Sequence, residues 1–447
     1  MMRDAEVIDA ITGKLNEYDV TDCSVCVALS GGLDSIVLLN AMRELAPSRN
    51  IDLSALHVDH GLSSHAQEWS AFCAEQCRKL GTELTVETVS VDLGAGLGTE
   101  AAARIARYGA FAKCNADFLA LAHHADDQVE TFLIQLLRGA GASGLSAMPV
   151  ERAMLNNGPR LLRPLLSVTR SDLSEFATQR TLRWVEDGSN ADLAIDRNFL
   201  RHSLLPLLEQ RFPAYRSTLS RATHNLADVG QLADILGRQD LLALRDSEAN
   251  CGGLCIAELE RWPPTRSMNV FRCLFREQGL PLPHRATLSE ALRQVVEARR
   301  DAQVRVDFGG VSMRCFRGYV HLVQNIELPP DWHMNWSGQE RVELPQGLGQ
   351  LHLRQTRGAG LSAQALQGDE VSVGFRRGGE RMALAANRPH RSLSKLYQDA
   401  GVAPWLRERT PVVFCGRKVV CVPGVGLAAE FQANPGEASF EIEWLQN

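Results

Sequence analysis

The segment ALSGGLDSIVLL, Ala28–Leu39, places two glycines and three small polar or acidic residues between an apolar run and the start of a helical pattern. A turn from a buried strand into a helix points backbone N–H groups and the positive end of the helix dipole at one spot. A phosphate would bind there. Gly31 and Gly32 let the backbone approach a ligand without a Cβ in the way, and the hydroxyls of Ser30 and Ser35 can donate to phosphate oxygens.

Asp34 is the acidic residue of this turn. Its carboxylate would repel a phosphate group in the absence of a cation. Its presence in the turn therefore indicates that it holds Mg²⁺ between itself and the phosphates. No lysine follows the glycines as in a Walker A loop, and the pattern G-x-G-x-x-G is absent. The segment resembles the S-G-G-x-D-S loop of the ATP pyrophosphatases, which split ATP into AMP and pyrophosphate. The resemblance implies that the six residues Ser30 to Ser35, Leu33 included, bind ATP.

The sequence around this loop alternates short apolar runs with amphipathic helical stretches. The predicted strands are CSVCVAL at 23–29, LSALHVD at 53–59, LTVETVSV at 84–91 and FLALAHH at 118–124. Such alternation predicts an α/β fold with a doubly wound parallel sheet that helices cover on both faces. A nucleotide would bind at the carboxyl ends of its strands.

The length of 447 residues exceeds what one hydrophobic core normally organises. We predict a catalytic domain over residues 1–217 and a mainly helical domain over 218–325. A linker rich in Pro, Gly and Trp would span 326–345, and a small α+β domain 346–447.

Composition is ordinary for a soluble protein, with 45% apolar and 22% charged residues. Neither a signal peptide nor a run long enough to span a bilayer is evident, so we expect a cytoplasmic protein without a membrane partner. Eleven scattered cysteines do not resemble a secreted disulfide framework. Alternation along the first strand would put Cys23 and Cys26 on opposite faces, which favours packing over a metal or redox role.

Further stretches resemble those of the tRNA(Ile)-lysidine synthases and occur in that family's order. They are LHVDHGLSSHA (56–66), EAAARIARYGAF (100–111), LAHHADDQVETFLIQLLRGAGASGLSAMP (121–149), RPLLSVTRSDL (163–173), WVEDGSNADLAIDRNFLR (184–201) and LSKLYQDAGVAPWLRERTPVV (393–413). The resemblance implies ligation of the ε-amino group of L-lysine to C2 of the wobble cytidine in an isoleucine tRNA with a CAU anticodon. ATP would first adenylate the C2 oxygen with release of pyrophosphate, and lysine would then displace AMP.

The segment HHADDQVET supplies acids at the mouth of the fourth strand. Asp127 and Glu130 stand three apart on the predicted helix and share one face. We assign Glu130 to holding the lysine amino group and Asp127 to Mg²⁺ binding or proton transfer. Asp126 fits a solvated helix N-terminus equally well. We interpret His123 as a strand-end residue packed against the sheet.

Two arginine pairs lie at helical spacing. Arg197 and Arg201 align on one helix face and can grip a phosphate, and we assign them to catalysis. The family suggests that Arg104 and Arg107, which we assign to the tRNA, meet ATP phosphates or the flipped cytidine. His57 ends the second strand, where it would contact adenine or serve only as a structural histidine.

A basic stretch lies near the C-terminus. Between residues 376 and 409 there are eight Lys or Arg against three acids, with Tyr397 and Trp405 interleaved. This local excess of positive charge favours a tRNA phosphate interface in an otherwise acidic chain, with a solvated charged face as the alternative. The residues assigned to tRNA are Arg376, Arg377, Arg391, Lys395 and Arg407.

Two other functions remain open at this point. A tRNA 2-thiolation enzyme would use the same ATP loop together with reactive thiols near the strand ends. A non-catalytic nucleotide-binding or tRNA-binding protein would keep the fold and bind ATP without releasing pyrophosphate. A homodimer is likewise left open.

Overall fold

A computed structural model describes residues 4–61, 65–92, 98–154, 158–186, 192–245, 252–299, 302 and 304–446. Two of the family-like stretches, at 56–66 and 184–201, therefore extend over residues 62–64 and 187–191, which lie outside the described residues. The chain divides into two compact units, Met1–Ile235 and Leu236–Asn447. No helix within the described ranges is long and apolar enough to cross a membrane.

A six-stranded sheet organises the first unit. Its strands are β1 (Ser24–Ala28), β2 (Asp52–Asp59), β3 (Glu83–Thr88), β4 (Phe118–Ala120), β5 (Glu151–Arg152) and β6 (Arg160–Leu162). The order is β3-β2-β1-β4-β6-β5, with every pair parallel except β5 and β6. The predicted parallel sheet and its first four strands are confirmed. The short β5 and β6 were not predicted, because two or three residues give no periodic signal.

The helices that begin in this unit are α1 (Asp4–Glu17), α2 (Leu33–Leu45), α3 (Ala66–Leu80), α4 (Thr99–Phe111), α5 (Ala125–Leu137), α6 (Ala142–Leu145), α7 (Arg170–Gln179), α8 (Asp196–Phe199), α9 (Leu205–Arg211) and α10 (Tyr215–Arg245). Of these, α1, α2, α3 and α7 pack on one face of the sheet and α4 on the other, whereas α5, α9 and α10 share a separate apolar cluster. Val25 and Val27 of β1 belong to one apolar cluster with α1, α2 and α7, whereas Cys26 belongs to a second with Phe111. Cys23 packs against the first cluster, so the two cysteines lie on opposite sides, as predicted.

The second unit begins within α10, and the predicted boundary at residue 217 also falls inside that helix. Its first part contains α11 (Ile256–Arg261), α12 (Pro264–Glu277), α13 (Arg285–Glu297), β7 (Leu254–Cys255), β8 (Arg305–Asp307), β9 (Val311–Phe316) and β10 (Tyr319–Gln324). These strands form an antiparallel sheet in the order β7-β10-β9-β8. Strands β8 and β9 form an antiparallel hairpin.

The C-terminal part is rich in strands. It contains β11 (His333–Asn335), β12 (Arg341–Glu343), β13 (Gln350–Arg357), β14 (Leu361–Ser362), β15 (Val371–Gly374), β16 (Arg381–Met382), β17 (Arg391–Ser392), β18 (Val412–Cys415), β19 (Lys418–Val422), β20 (Gly426–Leu427), β21 (Ala438–Leu445), α14 (Leu393–Asp399) and α15 (Pro404–Arg407). The segment 326–345 is not an open linker, because β11 pairs with β15 and β12 pairs with β13. Its Pro and Trp content favours an irregular segment, and strands of three residues are too short to show a periodic pattern.

Candidate active site

A cleft of about 930 Å³ opens at the carboxyl ends of β1, β2 and β4. Ten of the predicted site residues line it: Ser30, Gly32, Leu33, Asp34, Ser35, His57, Arg104, Arg107, Asp127 and Arg201. Gly31, Glu130 and Arg197 are not part of this lining. The sheet thus brings together residues that are up to 171 positions apart in the chain.

The loop between β1 and α2 is held by its own serines. The Ser30 N–H donates to Ser35 Oγ at 3.2 Å, and Ser35 Oγ donates to the Gly32 carbonyl at 2.9 Å. Gly32 is the N-cap of α2, and no side chain caps the first turn. The amides of that turn point toward an anion site without a competing side-chain acceptor.

Gly31 adopts a φ of +86°, which glycine reaches without steric cost. A Cβ there would lie 3.1 Å from both Cys73 Sγ and Val185 Cγ2. Gly32 has a φ of −73°, and its nearest neighbour to such a Cβ is Ser30 Oγ at 3.5 Å. The loop therefore needs glycine at the first position for its own folding.

We expect Gly31→Ala to lower the free energy of unfolding by about 1–2 kcal/mol, because alanine must adopt a strained φ against two tight contacts. Gly32→Ala, the comparison variant, should lose less stability, because Gly32 has a negative φ and a Cβ there makes no tight contact, which leaves only the weaker N-cap preference for glycine. Urea denaturation of both variants without nucleotide checks this expectation. Equal stability of the two variants would contradict it.

His124 lies at the centre of an acidic group. Its Nε2 is 3.7 Å from Asp34 Oδ2 and 3.5 Å from Asp127 Oδ2, and its Nδ1 is 3.7 Å from Asp126 Oδ2. Only 1% of the side chain is exposed. No site role was assigned to His124 from the sequence, although its position directly before the first turn of α5 indicates one.

His123, predicted to pack against the sheet, lies just after β4 and lines the cleft. Its Nδ1 is buried and has no hydrogen-bond partner among the described residues, and its neighbour His124 is buried. Strand β4 ends at Ala120, so the alternation of a strand no longer decides which way these two residues point. Burial lowers the pKa of His123 to about 4.

The two aspartates of the cleft differ in their electrostatics. Burial raises the pKa of Asp34. Burial also acts to raise the pKa of Asp127, but His124 and His123 outweigh it and hold that pKa below its usual value. Asp34 Oδ1 is buried and has no hydrogen-bond partner among the described residues.

These two carboxylates fit a Mg²⁺ ion that also takes phosphate oxygens. The described residues contain no group of three or more metal-ligating side chains. Mg²⁺ that binds with a nucleotide typically uses one or two carboxylates, waters and substrate phosphates. The unpartnered oxygen of Asp34 suits that role.

Glu130 has no exposed side-chain surface and is bound by two guanidiniums. Arg201 holds it with two contacts, Nε to Oε1 at 2.7 Å and Nη2 to Oε2 at 3.0 Å, and Arg197 Nε lies 3.3 Å from Oε2. Burial raises the pKa of Glu130, and Arg201 opposes that effect. The predicted phosphate-gripping pair therefore contacts a carboxylate, and Arg201 alone of the two also lines the cleft.

A second pocket of about 480 Å³ adjoins the first. The two share Leu33, Arg170, Trp184, Glu186 and Arg201. In total, four carboxylates and three guanidiniums line the second pocket, namely Asp126, Glu130, Glu186, Glu209, Arg170, Arg201 and Arg216. It offers charges of both signs to a small ligand.

Asp126 lies in the first turn of α5, but it is buried and paired rather than solvated as the alternative above expects. Its Oδ2 accepts from the Arg170 N–H at 2.9 Å and its Oδ1 from Arg216 Nε at 2.6 Å. It therefore joins the first turns of α5, α7 and α10.

The opposite wall of the cleft carries His57 and the α4 arginines. The His57 Nδ1 lies 2.8 Å from the Leu29 carbonyl and donates to it, which leaves Nε2 as an acceptor. Arg104 donates to the Tyr108 hydroxyl at 3.2 Å, and Arg107 Nε lies 3.2 Å from His60 Nε2. The His57 ring thus holds the end of β1, where the phosphate loop begins, independently of any contact with adenine.

The predicted tRNA contacts at 376–407 all lie in the second unit. Arg391 and Lys395 face Asp399, with nitrogen–oxygen distances of 2.5 Å and 3.9 Å. The interleaved aromatics are not surface rings, since Tyr397 is 0% and Trp405 8% exposed.

Comparison with known proteins yields matches along both units. The family model described as the PP-loop domain matches residues 6–208, the TilS substrate binding domain 254–321 and the TilS substrate C-terminal domain 371–444. The chain is 38% identical over 446 residues to tRNA(Ile)-lysidine synthase from Nitrosomonas europaea, covering 96% of each chain. The corresponding enzyme from Alkalilimnicola ehrlichii is 40% identical, with 92% of each chain covered, and that from Shigella flexneri is 36% identical, with 97% and 99% covered.

Proposed function

Because the chain belongs to the tRNA(Ile)-lysidine synthase family, we propose that it ligates L-lysine to C2 of the wobble cytidine in an isoleucine tRNA with a CAU anticodon. The observation that carries this proposal is the meeting of the phosphate loop, Asp34 and Asp127 in one cleft that adjoins a second pocket of mixed charge. ATP and lysine would occupy the two compartments. The cytidine would reach both.

The first step forms a bond between the cytidine O2 and the α-phosphorus of ATP, and the bond to pyrophosphate breaks. The amides and hydroxyls from Ser30 to Ser35 hold the phosphates. Asp34 and Asp127 would hold Mg²⁺, which neutralises phosphate charge when it is bound. An anticodon base unstacks at a cost of only a few kcal/mol, so it can enter a protein pocket.

The second step forms a bond between the lysine Nε and C2, and the bond to the AMP oxygen breaks. The second pocket suits this amino acid, because its carboxylates match the ammonium groups and its guanidiniums match the carboxylate. Glu130 would hold the ε-ammonium after Arg201 gives up part of its contact. Glu130, whose pKa burial raises, would also accept the proton that the amine releases, while Asp127 stays ionised for Mg²⁺.

The cysteines near the cleft do not favour the thiolation alternative. Cys73 Sγ lies 3.7 Å from His57 Nδ1, but it is fully buried, and burial raises its pKa to about 12. Burial also raises the pKa of Cys77 to about 11. Neither side chain is a thiolate at neutral pH.

The test is mass analysis of nucleosides from a CAU-anticodon isoleucine tRNA incubated with the chain, ATP, Mg²⁺ and isotopically labelled lysine. We expect labelled lysine on one cytidine, together with one AMP and one pyrophosphate for each modification. Omission of ATP is the control. Sulfur incorporation when a sulfur donor is supplied would favour thiolation, and ATP binding without pyrophosphate release would favour a non-catalytic protein.

A further inference from the structure

Two guanidiniums meet at the turn between α14 and α15 in the second unit. A Cβ on Gly401 would lie only 2.3 Å from Arg317 Nη1, so this guanidinium packs directly on the Gly401 backbone. Arg407 Nε donates to the carbonyl of the next residue, Val402, at 2.9 Å. Arg317 comes from the β9–β10 hairpin and Arg407 from α15, so distant parts of the chain bring these charges together.

Arg376, shortly after β15, adds a third charge. Burial and the neighbouring Arg376 and Arg317 lower the pKa of Arg407. Among the ion pairs of the described residues, none of the three arginines has a carboxylate within 4.0 Å. The nearby Glu380 instead accepts from the backbone N–H groups of Arg377 and Gly378.

The backbone at Arg317 is unusual for this residue. Arg317 and Gly318 form the two-residue turn of the β9–β10 hairpin with φ values of +51° and +83°. Asn is preferred over a long side chain at the first position of such a turn. Such a backbone persists only where the surrounding structure holds it. Here the side chain that this turn presents packs on Gly401.

We propose that Arg317 and Arg407, which meet at Gly401 and Val402, form a binding site for a backbone phosphate of RNA, with Arg376 as a further positive charge beside it. The inference rests on the proposed function, which supplies the RNA. Three unpaired guanidiniums repel one another, and a phosphate relieves that repulsion through charge-assisted hydrogen bonds. Tyr397 and Trp405 are buried and present no ring for base stacking, so positive charge is what these two rings leave for the ligand. Arg317 is the member of the site that the basic stretch at 376–409 did not include.

The decisive variant is Arg317→Asn, which removes the charge and places the preferred residue in the turn. We expect its thermal stability to equal or exceed that of the unaltered chain. Its Kd for a full-length CAU-anticodon isoleucine tRNA should rise about tenfold at low salt. The slope of log K against log salt should become shallower by about 1, and Arg376→Gln should reproduce this change.

The charge-matched control is Arg293→Gln. Arg293 is exposed and already paired with Glu290 and Glu297, so its loss should change neither Kd nor slope. Slopes for Arg317→Asn and Arg376→Gln equal to that of this control would overturn the proposal. Lysine transfer by the unaltered chain is measured in parallel: its absence would count against the proposed function, whereas its presence with unchanged slopes would count against the phosphate site alone. A third outcome would also reject an RNA ligand. In it, inorganic phosphate binds to the arginines of the unaltered chain, but the variants bind RNA as tightly as the unaltered chain does.

Discussion

The Asp34→Asn variant is expected to release AMP at least about 100-fold more slowly than the unaltered chain, because loss of one preorganised group at developing charge typically costs 10²–10³ in rate. Asp34 lies in the first turn of α2, and its Oδ1 is buried without a partner. Asparagine keeps the shape of the side chain, removes its charge and replaces one acceptor oxygen with an NH2 donor. Single-turnover release of AMP from ATP with tRNA and lysine is the measurement.

The control for this variant is Asp52→Asn, an exposed carboxylate in β2 of the same unit. Its rate should match that of the unaltered chain. The affinity for ATP separates two interpretations of Asp34. If the carboxylate binds no cation, its removal relieves repulsion with phosphate, so Asp34→Asn would bind ATP more tightly and keep its rate. That result would contradict the assignment of Asp34.

The Glu130→Gln variant is expected to accumulate the adenylated cytidine. The amide cannot hold an ammonium group as a carboxylate does, so lysine transfer should slow by about 100-fold or more, while pyrophosphate release continues. Mass analysis of RNA quenched during a single turnover distinguishes the intermediate from lysidine. Equal losses in both steps would indicate that Glu130 acts by shaping the site rather than in the second step.

Stability must be followed in the same variant. Glu130 is fully buried between Arg197 and Arg201, and loss of one member of a buried ion pair typically costs about 3–5 kcal/mol. Activity is therefore compared at a temperature where the variant is folded. Glu83→Gln, which changes an exposed residue of β3, controls for the substitution itself.

The phosphate loop and the acids of α5 could be predicted because local sequence determines both. A strand, a glycine turn and an uncapped helix start are adjacent in the chain, and the three-residue spacing of Asp127 and Glu130 fixes a helix face. The parallel sheet followed from the alternation of apolar runs. These features depend on few long-range contacts.

The remaining features depend on tertiary contacts. The partner of Arg201 is a carboxylate 71 residues earlier, and spacing alone cannot distinguish it from a phosphate. His124 is defined by three acids on two helices, and Arg317 lies 59 positions before the basic stretch that it joins. In each case the residue type indicated a charged or polar role, but the adjacent sequence did not show which residue would be its partner in the fold.

Asp126 ties the root of α10 to the helix that carries the reactive acids. That long helix begins in one compact unit and ends in the other. A single carboxylate therefore contacts both the helix with the reactive acids and the start of the helix that leads into the second unit. Changes at the start of α10 and changes in the first turn of α5 are therefore not independent. Over evolutionary time, we expect these two segments to vary together rather than separately.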